Sequence, residues 1–257
     1  MRKPALVCMA ISTFITVMLL HNSAEAKQGG TDTITIRSIQ ADLTGNGKKD
    51  SILLQGRGTD KEHPYMEKVW ADLHFAEGKR TYLPMNPGIR PDMVAADLTG
   101  DGIPEVLQFS ESGDNGGSAD YSLYTFKNGI PKEITLPGFA AEGYFENHYQ
   151  AVLSLPYLQK PIQIDLLSRR DIYRELGLYQ KNGLLNEPAE LMMGTQRKYK
   201  IIENGKEAKL LVSIIHVNGF SYTDHLGTLK TTWKFAKGGW RATEVRWNGK
   251  IQPLRHS

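Results

Sequence analysis

The chain has 257 residues, of which 40% are hydrophobic and 23% charged, and its formal net charge is +3. This length provides for one large domain or two modest domains. A nucleic-acid-binding protein would need a clustered basic face. The lysines and arginines are scattered instead, so nucleic acid is not an expected partner.

The first 26 residues have the pattern of a secretory signal peptide. Arg2 and Lys3 form a positive end, residues 5–20 are almost wholly apolar, and residues 24–26 (AEA) give a small-x-small cleavage site. The apolar run is short for a membrane span, so we expect secretion to the cell envelope or outside the cell, with no stable span after cleavage. Cleavage would also remove Cys8, the only cysteine, and the mature protein would then contain no disulfide.

Two similar units follow the predicted signal peptide. Each is predicted to contain a strand, a glycine loop, a second strand, a long connection and a hairpin. The predicted strands are 33–39, 51–55, 69–75, 79–83, 92–96, 105–109 and 121–126. Apolar and polar residues alternate in 33–39 and 69–75, whereas 51–55 and 105–109 are the apolar runs that follow the glycine loops. A repeat of this length points to stacked or radially arranged β-units.

The glycine loops carry the clearest chemical signal. They read ADLTGNGKKD at residues 41–50 and ADLTGDGIPE at residues 96–105, and an apolar run follows each one. Oxygen-bearing side chains fall at every second position, which is how a chain wraps a hard cation such as Ca²⁺. An EF-hand is excluded because Leu53 and Gln108 occupy its position 12 and β-type sequence follows. The alternative interpretation is that both loops are structural Asx/Gly turns without a metal.

The loops resemble the D-x-[DNT]-G-[DN]-G-x-x-[DE] loops of FG-GAP and VCBS-type repeats, which occur in integrin-like propellers and many secreted bacterial proteins. The resemblance covers only the loops and the strands that follow them. It implies calcium ligands in both copies, with carbonyl oxygens from Ile103 and Lys48: Asp97, Thr99, Asp101, Ile103 and Glu105, then Asp42, Thr44, Asn46, Lys48 and Asp50. Threonine replaces the usual aspartate at the third position, which should weaken binding, and Asn46 should make the first site the weaker one.

The rest of the chain is predicted to be β-rich. Strands are expected at 144–155, 161–166, 191–203, 209–217, 226–235 and 240–247. The one expected helix, 169–178, would place Ile172 and Leu176 on one side, with Tyr173 as a further candidate for that side, and charged residues opposite. The predicted fold is mainly β, with antiparallel β-units that resemble FG-GAP/VCBS propeller blades and a C-terminal twisted antiparallel sheet with one helix. We place the signal peptide at 1–26, the two repeats at 27–140 and the C-terminal region at 141–257.

Enzyme motifs such as G-x-S-x-G, H-E-x-x-H and the P-loop are missing from the sequence, so we expect a non-enzymatic protein. Two clusters could still carry chemistry. His216 with Asp224 and His225 could form a metal or acid–base group, and Glu142 and Glu146, with His148 nearby, could act as paired carboxylates that cleave glycosides. The alternative for both clusters is a solvated strand face or loop. Spacing would put Glu146 and His148 on the same face of a strand.

Residues 111–120 form a long polar connection that is the best sequence candidate for recognition, and Asp114 or Asp120 could complete the second metal shell. Aromatic residues nearby either stack on sugars or build the core. The predicted function is a secreted calcium-binding β-repeat protein with a binding or cell-surface role, whose partner is a cell-wall polymer or an extracellular protein. The alternatives are a secreted hydrolase of glycan or peptide with a site in the C-terminal half, and a structural envelope protein.

Overall fold

The computed structural model describes residues 33–58, 64–113, 118–205 and 208–255. The predicted signal peptide lies outside these ranges. The described residues belong to one compact unit, built from sixteen strands, one short α-helix and two single-turn 3₁₀ helices. The protein is mainly β with antiparallel sheets, as predicted. Neither the α-helix nor the 3₁₀ turns in these ranges have the length and apolar character that crossing a bilayer requires.

The two predicted units lie in one antiparallel sheet of eight strands. The strands are β1 (Ile34–Ala41), β2 (Asp50–Gly58), β3 (Tyr65–His74), β4 (Arg80–Met85), β5 (Gly88–Ala96), β6 (Glu105–Glu111), β7 (Ala119–Thr125) and β8 (Lys132–Glu133). Their order is β1-β2-β3-β5-β6-β7-β8, and β4 pairs with β3. The pairings β1–β2, β2–β3 and β3–β4 recur as β5–β6, β6–β7 and β7–β8. The units join where Tyr65 and Met66 pair with Ile89 and Gly88.

In the first unit, alternation along the strands separates a buried face from an outer face of this sheet. Ile52 and Leu54 of β2 pair with Leu73 and Ala71 of β3, and all four are fully buried. Burying each large aliphatic side chain contributes about 1.5–3 kcal/mol. Trp70 has the opposite phase and therefore lies on the outer face.

The C-terminal half contains two further antiparallel sheets and the helix. The smaller sheet comprises β9 (Glu142–Glu146), β10 (Gln150–Ser154) and β11 (Ile162–Asp165), and helix α1 (Arg170–Glu175) follows it. The larger sheet runs in chain order through β12 (Met192–Ile202), β13 (Leu210–Asn218), β14 (His225–Ala236), β15 (Gly239–Trp247) and β16 (Lys250–Gln252). Leu211 and Trp233 of this sheet share a core with Leu98, Leu107 and Leu123.

Two local predictions in this half are wrong. The single strand expected at 144–155 is a hairpin, because His148 and Tyr149 adopt positive φ values of 63° and 59° and turn the chain. The helix is shorter than predicted and buries Tyr173, whereas Ile172 and Leu176 are 58% and 52% exposed. The hydrophobic period indicated a helix, but the buried face is set by a distant partner of Tyr173.

Candidate functional site

The first aspartate of each glycine loop caps the turn that follows it. Its carboxylate oxygens accept hydrogen bonds from backbone N–H groups of the loop: Asp42 from Gly45, Asn46 and Gly47 at 2.7, 3.1 and 2.8 Å, and Asp97 from Gly100 and Gly102 at 2.7 and 3.0 Å. Desolvation acts to raise the pKa of Asp42, but these N–H donors hold it below its ordinary value.

The last acidic residue of each loop, Asp50 or Glu105, is 1% exposed and bonds back to the start of its own loop. The donors are a backbone N–H and a threonine hydroxyl: Leu43 N–H and Thr44 Oγ1 at 2.9 and 3.2 Å from Asp50, and Leu98 N–H and Thr99 Oγ1 at 2.8 and 3.0 Å from Glu105. We call the hydroxyl–carboxylate pairs Thr44–Asp50 and Thr99–Glu105 the threonine latches. A hydroxyl donates to a carboxylate, whereas a second carboxylate in its place would repel it.

Both loops are also fastened to the hairpin turn of their own unit. In the first unit, Asp50 Oδ1 accepts from the Ala76 N–H at 2.8 Å, between β3 and β4. In the second unit, the Lys127 ammonium group lies 2.9 Å from Asp101 Oδ2, just after β7. Lys127 therefore contributes to the structure of the second loop, although it lies outside the sequence motif.

The two loops also meet each other. The Ile103 side chain packs over Gly45, where an added Cβ would lie 2.4 Å from Ile103 Cδ1. At the matching position of loop one, Lys48 is exposed and its N–H donates to Asn46 Oδ1 at 2.9 Å. The structure thus brings all the predicted ligand residues into two adjoining, hydrogen-bonded loops.

As arranged, this donor set fits closed turns and does not fit a calcium cage. Ca²⁺ takes six to eight oxygen ligands, yet Lys127 already neutralises Asp101, and Glu105 is buried under hydrogen bonds from Leu98 and Thr99. Within the described ranges, no cluster of three or more His, Cys, Asp or Glu side chains is placed to hold a metal ion. Calcium binding by the predicted residues stays a prediction, which melting with calcium tests.

The buried Glu105 gives a testable pH dependence. Desolvation raises its pKa above the ordinary value of 4.5, although the Leu98 and Thr99 donors oppose this. The folded state therefore keeps this proton to a higher pH than the unfolded state does, so its contribution to stability is fully present below about pH 4.5 and is lost as the pH rises through the folded pKa. As the pH rises from about 4.5 to neutral, the wild type loses this contribution, whereas Glu105→Gln has no carboxyl group to titrate at this position. We therefore expect the difference in unfolding free energy between the two proteins to shift in favour of Glu105→Gln over this range. Urea unfolding of both proteins at the two pH values measures this difference, and a constant difference would contradict it.

The structure brings His216 and His225 together but gives Asp224 another role. The two imidazole rings lie 4.9 Å apart on β13 and β14, and burial, with His225 and Lys198 nearby, lowers the pKa of His216. The Asp224 carboxylate binds groups around α1 and the 219–224 loop: the Tyr173 hydroxyl at 2.5 Å, the Phe220 N–H at 3.0 Å and the Arg169 guanidinium. Asp224 therefore has a structural role in joining this loop to α1.

The second predicted cluster is not assembled on one strand. Glu142 and Glu146 are exposed on β9, whereas His148 lies in the turn after it with φ 63°, so the expectation that Glu146 and His148 share a strand face is wrong. In the predicted recognition segment, residues 114–117, with Asp114, lie outside the described ranges. Asp120 is exposed on β7.

The aromatic residues near that segment mostly build the core. Phe126 and Phe145 are buried, and the Tyr121 ring meets the Tyr199 ring edge-on at 5.1 Å. Burial raises the pKa of Tyr121. Tyr144, at 42% exposure, is the solvent-facing exception among the residues named here. The core interpretation therefore holds for most of them, and sugar stacking must be sought elsewhere.

A groove of about 620 Å³ lies on the outer face of the first sheet and was missed by sequence reasoning. Its lining residues belong to β3 and β4: Glu67, Lys68, Val69, Trp70, Tyr82, Pro84 and Met85. Tyr82 is 57% exposed, and Trp70 is half-buried. The signal was present in the sequence, because the alternation of Val69, Ala71 and Leu73 puts Trp70 on the face opposite the core.

Comparison with known proteins gives one match. The model of a family described as the YybI C-terminal domain matches residues 139–248, which is less than half of the chain and runs from just before β9 to just after β15. Neither a curated protein nor a solved structure matches the chain. The C-terminal half is thus similar to the YybI C-terminal domain.

Proposed function

We propose that this chain is a secreted, non-enzymatic β-repeat protein that binds a component of the cell envelope. The observation that carries the proposal is the groove at Trp70 and Tyr82, where two aromatic side chains stand on the outer face of a rigid sheet. Exposed apolar surface rimmed by polar residues is typical of an interaction site. The signal-peptide pattern of residues 1–26 supports an extracytoplasmic location.

The glycine loops serve as structural parts of this scaffold. The resemblance to FG-GAP and VCBS repeats is supported by the recurrence of the pairing pattern in the two units, with a loop at the same place in each. In this proposal the threonine latches fix the loop ends in a mature protein that has no cysteine after signal cleavage. Calcium bound by the loops would stabilise the folded state further by mass action.

Co-sedimentation with isolated bacterial cell envelopes tests the binding function. We expect the purified protein to pellet with the envelopes and Tyr82→Ala to remain in the supernatant. The control is Tyr222→Ala, which removes a tyrosine that is 64% exposed and lies outside the groove. A wild-type protein that stays in the supernatant would refute the proposal. Release of soluble glycan or peptide fragments from the envelopes would favour the hydrolase alternative.

A further inference from the structure

We infer that the groove between β3 and β4 binds a neutral glycan by stacking a pyranose ring against Trp70 and Tyr82. This inference rests on the proposed binding function and names its ligand class. The faces of a pyranose ring carry C–H groups and its rim carries hydroxyl groups. Such a ligand suits an apolar aromatic platform with polar side chains at its edge.

The Trp70 ring is held in position before any ligand arrives. Its indole Nε1–H donates to Gln55 Oε1 of β2 at 2.9 Å, so the polar edge of the ring is already bonded. Pro84 of β4 lies opposite Trp70 in the strand register and lines the same groove. The groove thus presents a fixed apolar wall, which lowers the entropy cost of binding.

The Tyr82 ring is fixed by a chain of polar contacts. The Arg80 guanidinium lies 5.0 Å from the ring centroid and also binds the Asp72 carboxylate through two hydrogen bonds of 2.8 and 2.6 Å. Asp72 is directly opposite Tyr82 in the register and is 2% exposed. One face of the Tyr82 ring therefore carries the guanidinium, and the side chain remains 57% exposed.

The charges around the groove select a neutral ligand. The two charged residues that line the groove, Glu67 and Lys68, have opposite charges, and the carboxylate of Asp72 is paired with Arg80. Neither a polyanion nor a polycation finds a complementary field on this surface. An extended peptide would add to the outer edge of β4, which pairs only with β3 among the described strands, and there Pro84 lacks an N–H donor and disfavours strand addition.

Native gel electrophoresis through soluble neutral polysaccharides tests the inference, with hydroxyethyl cellulose and galactomannan as probes. We expect at least one of them to retard the wild-type protein. We expect Tyr82→Ala to bind about tenfold more weakly, which corresponds to about 1.4 kcal/mol. Tyr222→Ala, the matched surface tyrosine, should be retarded like the wild type. Because Tyr82 is exposed, its truncation is expected to leave the melting temperature close to that of the wild type.

Each outcome decides one of the two proposals. Envelope binding without retardation by either polysaccharide overturns the glycan inference and leaves the binding function standing. Equal retardation of Tyr82→Ala and wild type also overturns the inference, since the sugar would then lie elsewhere. If the wild-type protein binds neither the envelopes nor the polysaccharides, the binding function itself is overturned.

Discussion

Replacement of Asp224 by alanine should lower the free energy of unfolding by about 3 kcal/mol, the lower end of the range for breaking a buried ion pair. The substitution leaves the fully buried Tyr173 hydroxyl without its acceptor and deprives Arg169 of its carboxylate partner. The lower end applies because the Arg169 side chain is 35% exposed and water partly compensates the lost partner. Urea unfolding followed by tryptophan fluorescence measures the change, and the melting temperature should fall on the order of 10 °C.

His225→Ala is the matched control for Asp224→Ala. The residues are adjacent, but His225 is exposed, so its truncation should change stability by less than about 0.5 kcal/mol. Tyr173→Phe removes only one of the hydrogen bonds to Asp224 and should cost about 1 kcal/mol. The structural role of Asp224 would be contradicted if Asp224→Ala were as stable as the wild type, or if Asp224→Ala and His225→Ala lowered the free energy of unfolding equally.

The second large effect is a difference between the two loops. Asp50→Asn should destabilise the protein by about 2 kcal/mol, whereas Glu105→Gln should change stability by less than about 0.5 kcal/mol at neutral pH. Asp50 uses both oxygens to accept backbone N–H groups, from Leu43 and Ala76, and an amide has only one oxygen to offer. In either orientation, the asparagine NH₂ group therefore faces one of these N–H groups, the buried one of Leu43 or the part-buried one of Ala76.

Glu105 is arranged differently. Both of its backbone bonds, from Leu98 and Thr99, end on Oε2, and only the Thr99 hydroxyl contacts Oε1. A glutamine can keep the two backbone N–H bonds with its oxygen and donate from its NH₂ group to the Thr99 hydroxyl, which then accepts a hydrogen bond instead of donating one. Melting curves of the wild type and both variants measure the contrast.

The same melts with millimolar calcium and with a chelator separate the latch from a metal site. We expect superimposable curves, because the carboxylates are satisfied within the protein. If calcium raises the melting temperature of the wild type and both variants lose that gain, the loops bind calcium and the structural account of them fails. Equal losses in Asp50→Asn and Glu105→Gln would contradict the hydrogen-bond argument.

The strands could be predicted because most bury one face in alternation, as β2 does, whereas β6 is buried on both faces and reads as an apolar run. The alternation of Val69, Ala71 and Leu73 indicated β3, and the apolar runs after the glycine loops indicated β2 and β6. The order of strands could not be predicted, because the joint between Tyr65 and Ile89 is a non-local pairing that leaves no pattern in either strand.

The acidic residues of the loops could be predicted from the sequence, but their hydrogen-bond partners outside the loops could not. Spacing identified Asp97, Asp101 and Glu105 as one group, but Lys127, the partner of Asp101, lies 26 positions away along the chain. The buried side of α1 was assigned mainly to Ile172 and Leu176 for the same reason, since the partner that buries Tyr173 is Asp224, 51 positions away. Residue type and period report local structure, whereas a hydrogen-bond partner is chosen by the tertiary fold.

The packing of Ile103 over Gly45 makes the two similar loops interdependent. Similar segments of one chain are often treated as if each could change on its own. Here a larger residue in the first copy demands a smaller or differently oriented one in the second. Grafting in a first loop that carries a side chain at position 45 would therefore create a steric clash with Ile103, unless the second loop were exchanged together with it.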